Sequence, residues 1–189
     1  MDLQLALQRN FLGAMAELYR DADADIAGRK GVCVASGRCC RFEEYGHRLY
    51  VTHAELIYFY AAYLQPGEGA KQHGVGFAAL ASPRTDGFPL PLYNDAGQMM
   101  AGCPWQVRGM CTARDARPLG CRIYFCDAGS RAWQGPVYEY YHQQLAAMHA
   151  RFGIDYGYVE WRDGLSLLAQ TQAGMAADRG CVATSLDSQ

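Results

Sequence analysis

Seven of the eight cysteines in this chain fall into two short clusters, and no other feature of the sequence restricts its fold as strongly. The clusters contain Cys33, Cys39 and Cys40 in the first and Cys103, Cys111, Cys121 and Cys126 in the second. Cys181 stands alone near the C-terminus. Grouped thiols oxidise readily, so they indicate that the sulfur atoms have a task, and ligation of zinc or iron is a common one.

The composition predicts one compact domain. Half of the 189 residues are apolar, which is enough to bury a sizeable core over residues 1–173, and the small polar residues 174–189 are expected to form a flexible tail. The net charge of −2 provides no basic surface for nucleic acid. We expect no membrane association either, because no run of about 18 apolar residues occurs.

The start of the chain predicts a cytosolic location. Its first ten residues lack the basic and apolar segments of a secretory signal. Thiols stay reduced in the cytosol, so disulfides explain the cysteines less well than a metal does. The alternative without a functional role is that the cysteines are buried free thiols, which pack like small apolar side chains.

Apolar spacing predicts the elements of the N-terminal half. An amphipathic helix is expected over residues 2–27, with Leu7 on its apolar face, and a strand over residues 48–51. Thr52 is expected to begin a helix with Glu55 completing a capping box, and the helix should end at Pro66-Gly67. Residues 67–87 are rich in glycine and predict a loop.

The C-terminal half combines a hairpin, a cysteine-rich segment and a long helix. Residues 90–101 predict the hairpin, and the cysteine-rich segment after it is expected to pack few side chains. Pro136 is expected to begin the helix and Gly153 to end it, with His142 and His149 on its solvated face. A strand over 156–161 and a short helix over 165–170 follow.

The spacing of the cysteines indicates metal ligation. Four residues separate Cys121 from Cys126 and five separate Cys33 from Cys39, so a tight turn can aim each pair at one ion. The clusters lie about sixty residues apart, so the fold must bring them together. Adjacent side chains are expected to diverge, and seven thiols exceed the four of one tetrahedral site. Two metals sharing ligands, or one four-cysteine site with spare thiols, both remain open.

The order of these residues resembles a known family. The matching positions are Cys33, Ser36, Cys39-Cys40, Cys103-Pro104, Cys111, Arg117-Pro118-Leu119-Gly120-Cys121-Arg122 and Cys126. They resemble the YkgJ-like cysteine-cluster family, also described as the CxxCxxCC or zinc- or iron-chelating domain, over roughly residues 30–130. The resemblance implies a metal-binding domain holding zinc or an iron–sulfur cluster. Position 36 is usually cysteine in that family, and serine is a poor ligand for soft metals.

Two arginines flank Cys121 within the second cluster. Arg117 and Arg122 are expected either to stabilise thiolates and tune a redox potential through their N–H groups, or to pair with Asp115 or Asp127. His47 is the best candidate for an additional ligand. The sequence points to no catalytic residue.

These observations predict an α+β fold, mostly helical with short strands, around a cysteine-ligated metal centre. The expected cofactor is an iron–sulfur cluster or zinc, and the expected function is metal binding with a redox role. A structural zinc module for protein–protein interaction and a cluster-dependent redox or group-transfer enzyme are the alternatives. The partner is correspondingly a protein or a small substrate. The predicted ligands are Cys33, Cys39, Cys40, Cys103, Cys111, Cys121 and Cys126.

Overall fold

The structure is a computed structural model that describes residues 1–29, 31, 33, 36–64, 102–107 and 110–171. The predicted loop over 67–87, the hairpin over 90–101, the helix end at Pro66-Gly67, the tail over 174–189 and Cys181 lie outside these residues.

The described residues form helices and two small sheets. The helices are α1 (Arg9–Gly28), α2 (Phe42–Tyr45), α3 (His53–Phe59), α4 (Leu119–Ile123), α5 (Arg131–Phe152) and α6 (residues 161–171). The strands are β1 (Tyr50–Thr52), β2 (Gln106–Val107), β3 (Met110–Cys111) and β4 (Tyr158–Glu160). Short 3₁₀ helices cover Leu3–Leu7, Arg38–Cys40 and Ala128–Ser130, and a π-helix covers Tyr60–Leu64. The largely helical α+β fold with short strands is therefore confirmed.

The N-terminal segment forms two helices where one was predicted. Gln8 has extended backbone angles and separates the 3₁₀ helix from α1. The Asp2 carboxylate accepts a hydrogen bond from Gln4 N and starts the first of them. Because the break turns the chain, Leu7 is 61% exposed and does not join the apolar face. The cap at Asp2 therefore outweighs the continuous apolar spacing that predicted a single helix.

Helix α3 begins as predicted. Thr52 Oγ1 accepts a hydrogen bond from Glu55 N, and the Glu55 carboxylate accepts one from Thr52 N at 2.7 Å. This reciprocal capping box satisfies two N–H groups that the first turn of a helix leaves free. The helix continues into the π-helix. Its start is fixed by the side chains of Thr52 and Glu55, which is why the sequence could predict it.

Strands β1 and β4 form an antiparallel pair, with Tyr50 opposite Glu160 and Thr52 opposite Tyr158. Trp161 N donates to Leu49 O at 2.8 Å and extends the ladder by one bond. Both strands lie where the sequence predicts them, within about two residues. Helix α6 begins at residue 161, so the predicted short helix is longer than expected.

The second cysteine segment contributes to the core, contrary to the prediction that it packs few side chains. Strands β2 and β3 form a small hairpin within it, and α4 follows. Trp105, Ala113, Ala116, Leu119 and Ile123 are all buried. The prediction was wrong because it weighed the glycines and prolines and not the apolar residues between them.

Helix α5 begins at Arg131, so the predicted start at Pro136 is also wrong. The Asp127 carboxylate accepts hydrogen bonds from the Ser130 N–H and hydroxyl, and this turn leads directly into α5. Pro136 lies inside the helix, where its missing N–H removes one ladder bond. The end at Gly153, with φ of 63°, agrees with the prediction.

One apolar core joins these elements. Its largest fully buried apolar side chains are Phe11, Met15, Phe42, Leu56, Ile57, Phe59, Trp105, Leu119, Leu145, Trp161 and Leu165. The Phe59 ring stacks on Trp105 at 5.2 Å and meets Trp161 edge-on at 4.8 Å. No helix among the described residues combines the length and apolar character needed to cross a bilayer.

Candidate metal centre

Main-chain and side-chain hydrogen bonds join the two cysteine segments. Cys103 N donates to Cys40 O at 2.7 Å, and Gln106 Nε2 donates to Gly37 O at 2.8 Å. Gly102 makes this approach practicable, because its φ is +87° and a Cβ there would lie 2.7 Å from Cys40 O. The fold therefore brings together the two clusters that lie far apart in the sequence.

The thiols surround two adjoining cavities. The smaller, which we name the thiol cavity, has a volume of about 30 Å³ and is lined by Cys39, Cys40, Cys103, Cys111 and Cys121. The larger, which we name the thiol cleft, has a volume of about 120 Å³ and is lined by Cys33, Cys39, Cys40, Cys111, Cys121 and Cys126. Every cysteine singled out from the sequence thus lines one cavity or both.

The sulfur atoms do not close around one point. Among the described residues, no group of three or more His, Cys, Asp or Glu side chains is arranged so that it could hold a metal ion. Two contacts stand out. The Sγ atoms of Cys39 and Cys40 lie 3.9 Å apart, and Ser36 Oγ lies 3.7 Å from Cys126 Sγ.

The close approach of Cys39 and Cys40 differs from the expectation that adjacent side chains diverge. Both belong to the 3₁₀ helix Arg38–Cys40. With three residues per turn, neighbouring side chains are separated by about a third of a circle, whereas they point to opposite sides of a strand. The tight turn thus lets both sulfurs face the thiol cavity.

The environment raises the pKa of Cys39, Cys40, Cys111 and Cys121. The hydrogen bond with Cys40 is the main cause that raises the pKa of Cys39, and contact with Cys103 is the main cause for Cys40. Burial raises the pKa of Cys111 and raises that of Cys121 strongly. The nearby Arg117 guanidinium opposes these shifts in Cys39, Cys111 and Cys121.

Three residues beside the thiol cavity carry a buried N–H group that has no acceptor among the residues the structure describes. Trp105 Nε1, Trp161 Nε1 and Arg117 Nε are buried, and no hydrogen-bond partner for them exists within the described part of the chain. All three residues line the thiol cavity. Buried donors without partners are rare and costly, so these three N–H groups require an acceptor that the described residues do not supply.

The two flanking arginines occupy different places. Arg117 lines both the thiol cavity and the thiol cleft, as expected for a group that acts on the sulfurs. The buried Arg122 side chain donates to the main-chain carbonyls of Arg117 and Asp115 and pairs with the Asp23 carboxylate. Its guanidinium also lies 4.1 Å from the centre of the Tyr19 ring. Its ion pair is thus with Asp23, which the sequence did not suggest, and its bonds shape the loop before α4.

A buried carboxylate positions the helix that carries Cys121. Glu55 Oε1 accepts a hydrogen bond from Leu119 N, in the first turn of α4, at 2.8 Å. Tyr19 Oη lies 3.4 Å from the same oxygen. Burial raises the pKa of Glu55, although the N–H donors of Thr52 and Leu119 oppose that shift. The capping residue predicted from the sequence therefore has a second task at the site.

Two aromatic residues border the cysteines. The His47 ring stacks on Tyr124 at 5.5 Å and 16°, and its Nε2 lies 3.4 Å from Cys39 O. His47, the candidate additional ligand, therefore lies beside the cysteines, but its ring contacts a main-chain carbonyl oxygen. Burial raises the pKa of the Tyr124 hydroxyl, with further contributions from its contact with Cys126.

Sequence reasoning missed several residues of this site. Trp105 follows Cys103 by two positions, and that proximity was an available signal. Trp161, Glu55 and Tyr124 gave none that distinguishes them from core or cap residues. The prediction that His149 lies on a solvated face is wrong, because it is buried at 3% exposure against Ala54 and Ile154.

In comparisons with known proteins, no family model, no curated protein and no solved structure matches this chain. The resemblance to the YkgJ-like family therefore stays a prediction that rests on the cysteine pattern alone.

Proposed function

We propose that the protein binds a metal centre through its clustered thiols. The observation that carries this proposal is the thiol cavity, where five cysteines meet three residues whose buried N–H donors have no acceptor among the described residues. A thiolate-bound metal would supply the missing acceptors, because its sulfur ligands keep negative charge that N–H groups can stabilise. Cys39, Cys40, Cys103, Cys111 and Cys121 would be the ligands nearest to these donors.

The sulfur atoms would have to close around such a centre, and one pair already has the spacing it needs. Around a tetrahedral zinc ion, a metal–sulfur distance of about 2.3 Å places sulfur atoms about 3.8 Å apart. Cys39 and Cys40 already lie at 3.9 Å. The other sulfurs must move inwards, and binding energy from the metal would drive that movement.

The donors favour an iron–sulfur cluster over a single zinc ion. A cluster presents inorganic sulfides as well as thiolates, so it offers more acceptors to Trp105, Trp161 and Arg117. The number of clustered thiols also exceeds the four that one zinc ion needs. Bound there, the cluster would supply one-electron chemistry, while these donors and the Arg117 charge would stabilise its reduced form.

Elemental analysis and visible absorption of anaerobically purified protein test the proposal directly. We expect iron and sulfide in about equal amounts, with a visible band that dithionite bleaches. Well under one iron or zinc per chain would refute metal binding. A colourless protein with about one zinc per chain would instead establish the structural zinc module.

A pair of cysteine variants locates the ligands. Cys121→Ser should lose metal and become more sensitive to protease within the cysteine segments, because metal-binding energy is also folding energy. Cys181→Ser serves as the control and should change neither property. Equal metal content in the two variants would contradict the assignment.

Tryptophan variants test the role of the N–H donors. Trp105→Phe and Trp161→Phe each keep a ring and remove one N–H, so each should lower the midpoint potential of the bound cluster by removing a hydrogen bond to sulfur. Trp133→Phe is the matched control, since Trp133 packs against Phe125 and is not among the described residues that line the thiol cavity. Identical potentials in all three variants would show that the N–H groups do not face the cluster.

A further inference from the structure

A third cavity lies beside the thiol cleft, and we name it the aromatic cleft. Its volume is about 210 Å³, and the rings of Tyr50, Tyr124, Tyr138 and Tyr158 line it. Tyr50 and Tyr158 stack on one another at 5.5 Å, and the Tyr138 and Tyr158 hydroxyls are hydrogen-bonded at 2.8 Å. An apolar cavity of about 150 Å³ accommodates benzene, so this cleft has room for one substituted ring.

A glycine keeps part of the aromatic cleft open. Gly120 lines it, and a Cβ at this position would lie 2.9 Å from Leu49 Cδ1 and 3.9 Å from Tyr138. The missing side chain therefore leaves space that any other residue would fill. A branched side chain here would reduce the volume without removing a polar group.

The charge of the aromatic cleft favours an anionic ligand. Arg48 lines it and is exposed, and neither Asp nor Glu is among the described residues that do so. No hydrogen bond or ion pair within the described residues engages the Arg48 guanidinium. The nearby Glu43 carboxylate accepts a hydrogen bond from Arg162 at 2.8 Å, which is the main cause of its lowered pKa, and Arg48 makes only a smaller contribution. A cationic ligand would be attracted by the tyrosine ring faces but repelled by Arg48, whereas a carboxylate would gain a charged hydrogen-bonding partner in Arg48.

The aromatic cleft opens onto the sulfur atoms. Cys39 and Cys121 line both it and the thiol cleft. Gly120 and Cys121 are consecutive in α4, so one short helix forms part of both walls. A ligand in the aromatic cleft would therefore lie next to the proposed metal centre.

We infer that the aromatic cleft binds a small planar aromatic carboxylate. The ring packs against the tyrosine rings beside Leu49 and Gly120, and the carboxylate pairs with Arg48. Flat rings gain from offset or edge contacts with tyrosine, and a saturated ring of the same size does not. Binding rests on the geometry of the cleft alone, whereas the position of the ligand beside a metal rests on the proposed function.

Calorimetric titration of the full chain with sodium benzoate tests this inference. Cyclohexanecarboxylate has the charge without the aromatic ring, and benzamide has the ring without the charge. We expect benzoate to bind and each comparison compound to bind at least roughly tenfold more weakly, since each lacks one of the two interactions. No detectable binding of benzoate, or equal binding of all three compounds, would overturn the inference.

Two pairs of variants place the ligand. Arg48→Gln should weaken benzoate binding roughly tenfold or more and leave benzamide unchanged, whereas Arg20→Gln, an exposed arginine of α1, should change neither. Gly120→Val should weaken the binding of both benzoate and benzamide. Gly135→Val, where nothing lies within 4 Å of the added Cβ, should not. Unchanged benzoate affinity in both Arg48→Gln and Gly120→Val refutes the site. Metal analysis of the same samples reports separately on the proposed function.

Discussion

Glu55 and Leu119 are 64 positions apart in the sequence, and a 2.8 Å hydrogen bond from Leu119 N to the Glu55 carboxylate joins them in the core. The same carboxylate completes the capping box of α3. One buried side chain therefore satisfies N–H groups in the first turns of two helices, and the second of these carries Cys121. The N-terminal half of the chain thereby sets the position of a predicted ligand.

Glu55→Gln tests this connection. The substitution replaces one acceptor oxygen by an NH₂ group that cannot accept from Leu119 or Thr52, so a buried N–H loses its partner. We expect the free energy of unfolding to fall by about 1–3 kcal/mol in urea titrations. We also expect faster loss of bound metal to a chelator, because α4 is less firmly held.

Glu44→Gln is the matched control for that variant. Glu44 is paired with Arg41 at the surface, and exposed ion pairs of this kind contribute about 0–1 kcal/mol. Equal destabilisation by the two substitutions would contradict the role assigned to Glu55.

Arg122→Leu should strongly destabilise the protein. It removes the donors that satisfy the carbonyls of Asp115 and Arg117 and the partner of Asp23, all around one buried guanidinium. Each buried carbonyl left without its donor costs about 1–3 kcal/mol, whereas the Asp23 carboxylate is about half exposed and adds little. Arg29→Leu, which breaks a partly exposed pair with Asp25, should cost under about 1 kcal/mol by the same unfolding measurement. A small loss for Arg122→Leu would show that the loop before α4 does not depend on it.

Gly102→Ala should disturb the contact between the two cysteine segments. A residue with a Cβ at positive φ costs about 1–2 kcal/mol, and here the Cβ would also press on Cys40 O. Gly153→Ala has a similar φ of +63° with nothing within 4 Å, so it measures the backbone cost alone. We expect thermal unfolding to show the larger loss for Gly102→Ala, with reduced metal content in that variant only. Equal losses of stability in the two variants would mean that the two cysteine segments shift freely to accommodate the added Cβ.

His149 should make stability depend on pH below about 6.5. Its Nε2 accepts from Ala54 N and its Nδ1 lies 3.3 Å from Ile154 O, so the neutral ring uses both nitrogen atoms. Burial lowers the pKa of His149, with smaller contributions from His53 and His142. Below the unfolded pKa of about 6.5, the unfolded chain therefore binds more protons than the folded one. The free energy of unfolding decreases as the pH is lowered, by up to about 1.4 kcal/mol per pH unit.

Urea unfolding at intervals between pH 7.5 and pH 5.5 checks the sign and the window. His149→Gln should reduce the slope, because glutamine accepts from Ala54 N without titrating. His142→Gln, whose ring is partly exposed and contacts the Tyr156 hydroxyl, should leave the slope largely unchanged. A slope that persists in His149→Gln would assign the effect to another group.

The sequence predicted the local features of the fold. The capping box at Thr52 and Glu55, the strands β1 and β4 and the end of α5 at Gly153 each depend on residues a few positions apart, and all are present. The pairing of β1 with β4 joins distant residues and was not predicted. The predicted start of α5 at Pro136 was wrong, because the turn at Asp127 begins the helix earlier in the chain.

The site was harder to predict, because its contacts join distant parts of the chain. The Asp23 carboxylate that pairs with Arg122 is 99 positions away, and no pattern in the sequence links them. The burial of His149 likewise depends on Ala54, in a different helix. The cysteine spacing could show which residues belong together, but not which donors surround them.

The thiols of this chain differ in their access to solvent, and this ranks them by their exposure to chemical attack. Cys33 is exposed, Cys39, Cys111, Cys121 and Cys126 are half-buried, and Cys40 and Cys103 are buried. An oxidant or alkylating reagent reaches thiols in order of their access and their thiolate character. Damage to the metal-free chain should therefore begin at Cys33 and reach the Cys40–Cys103 contact last, so the link between the two halves would outlast the outer sulfurs.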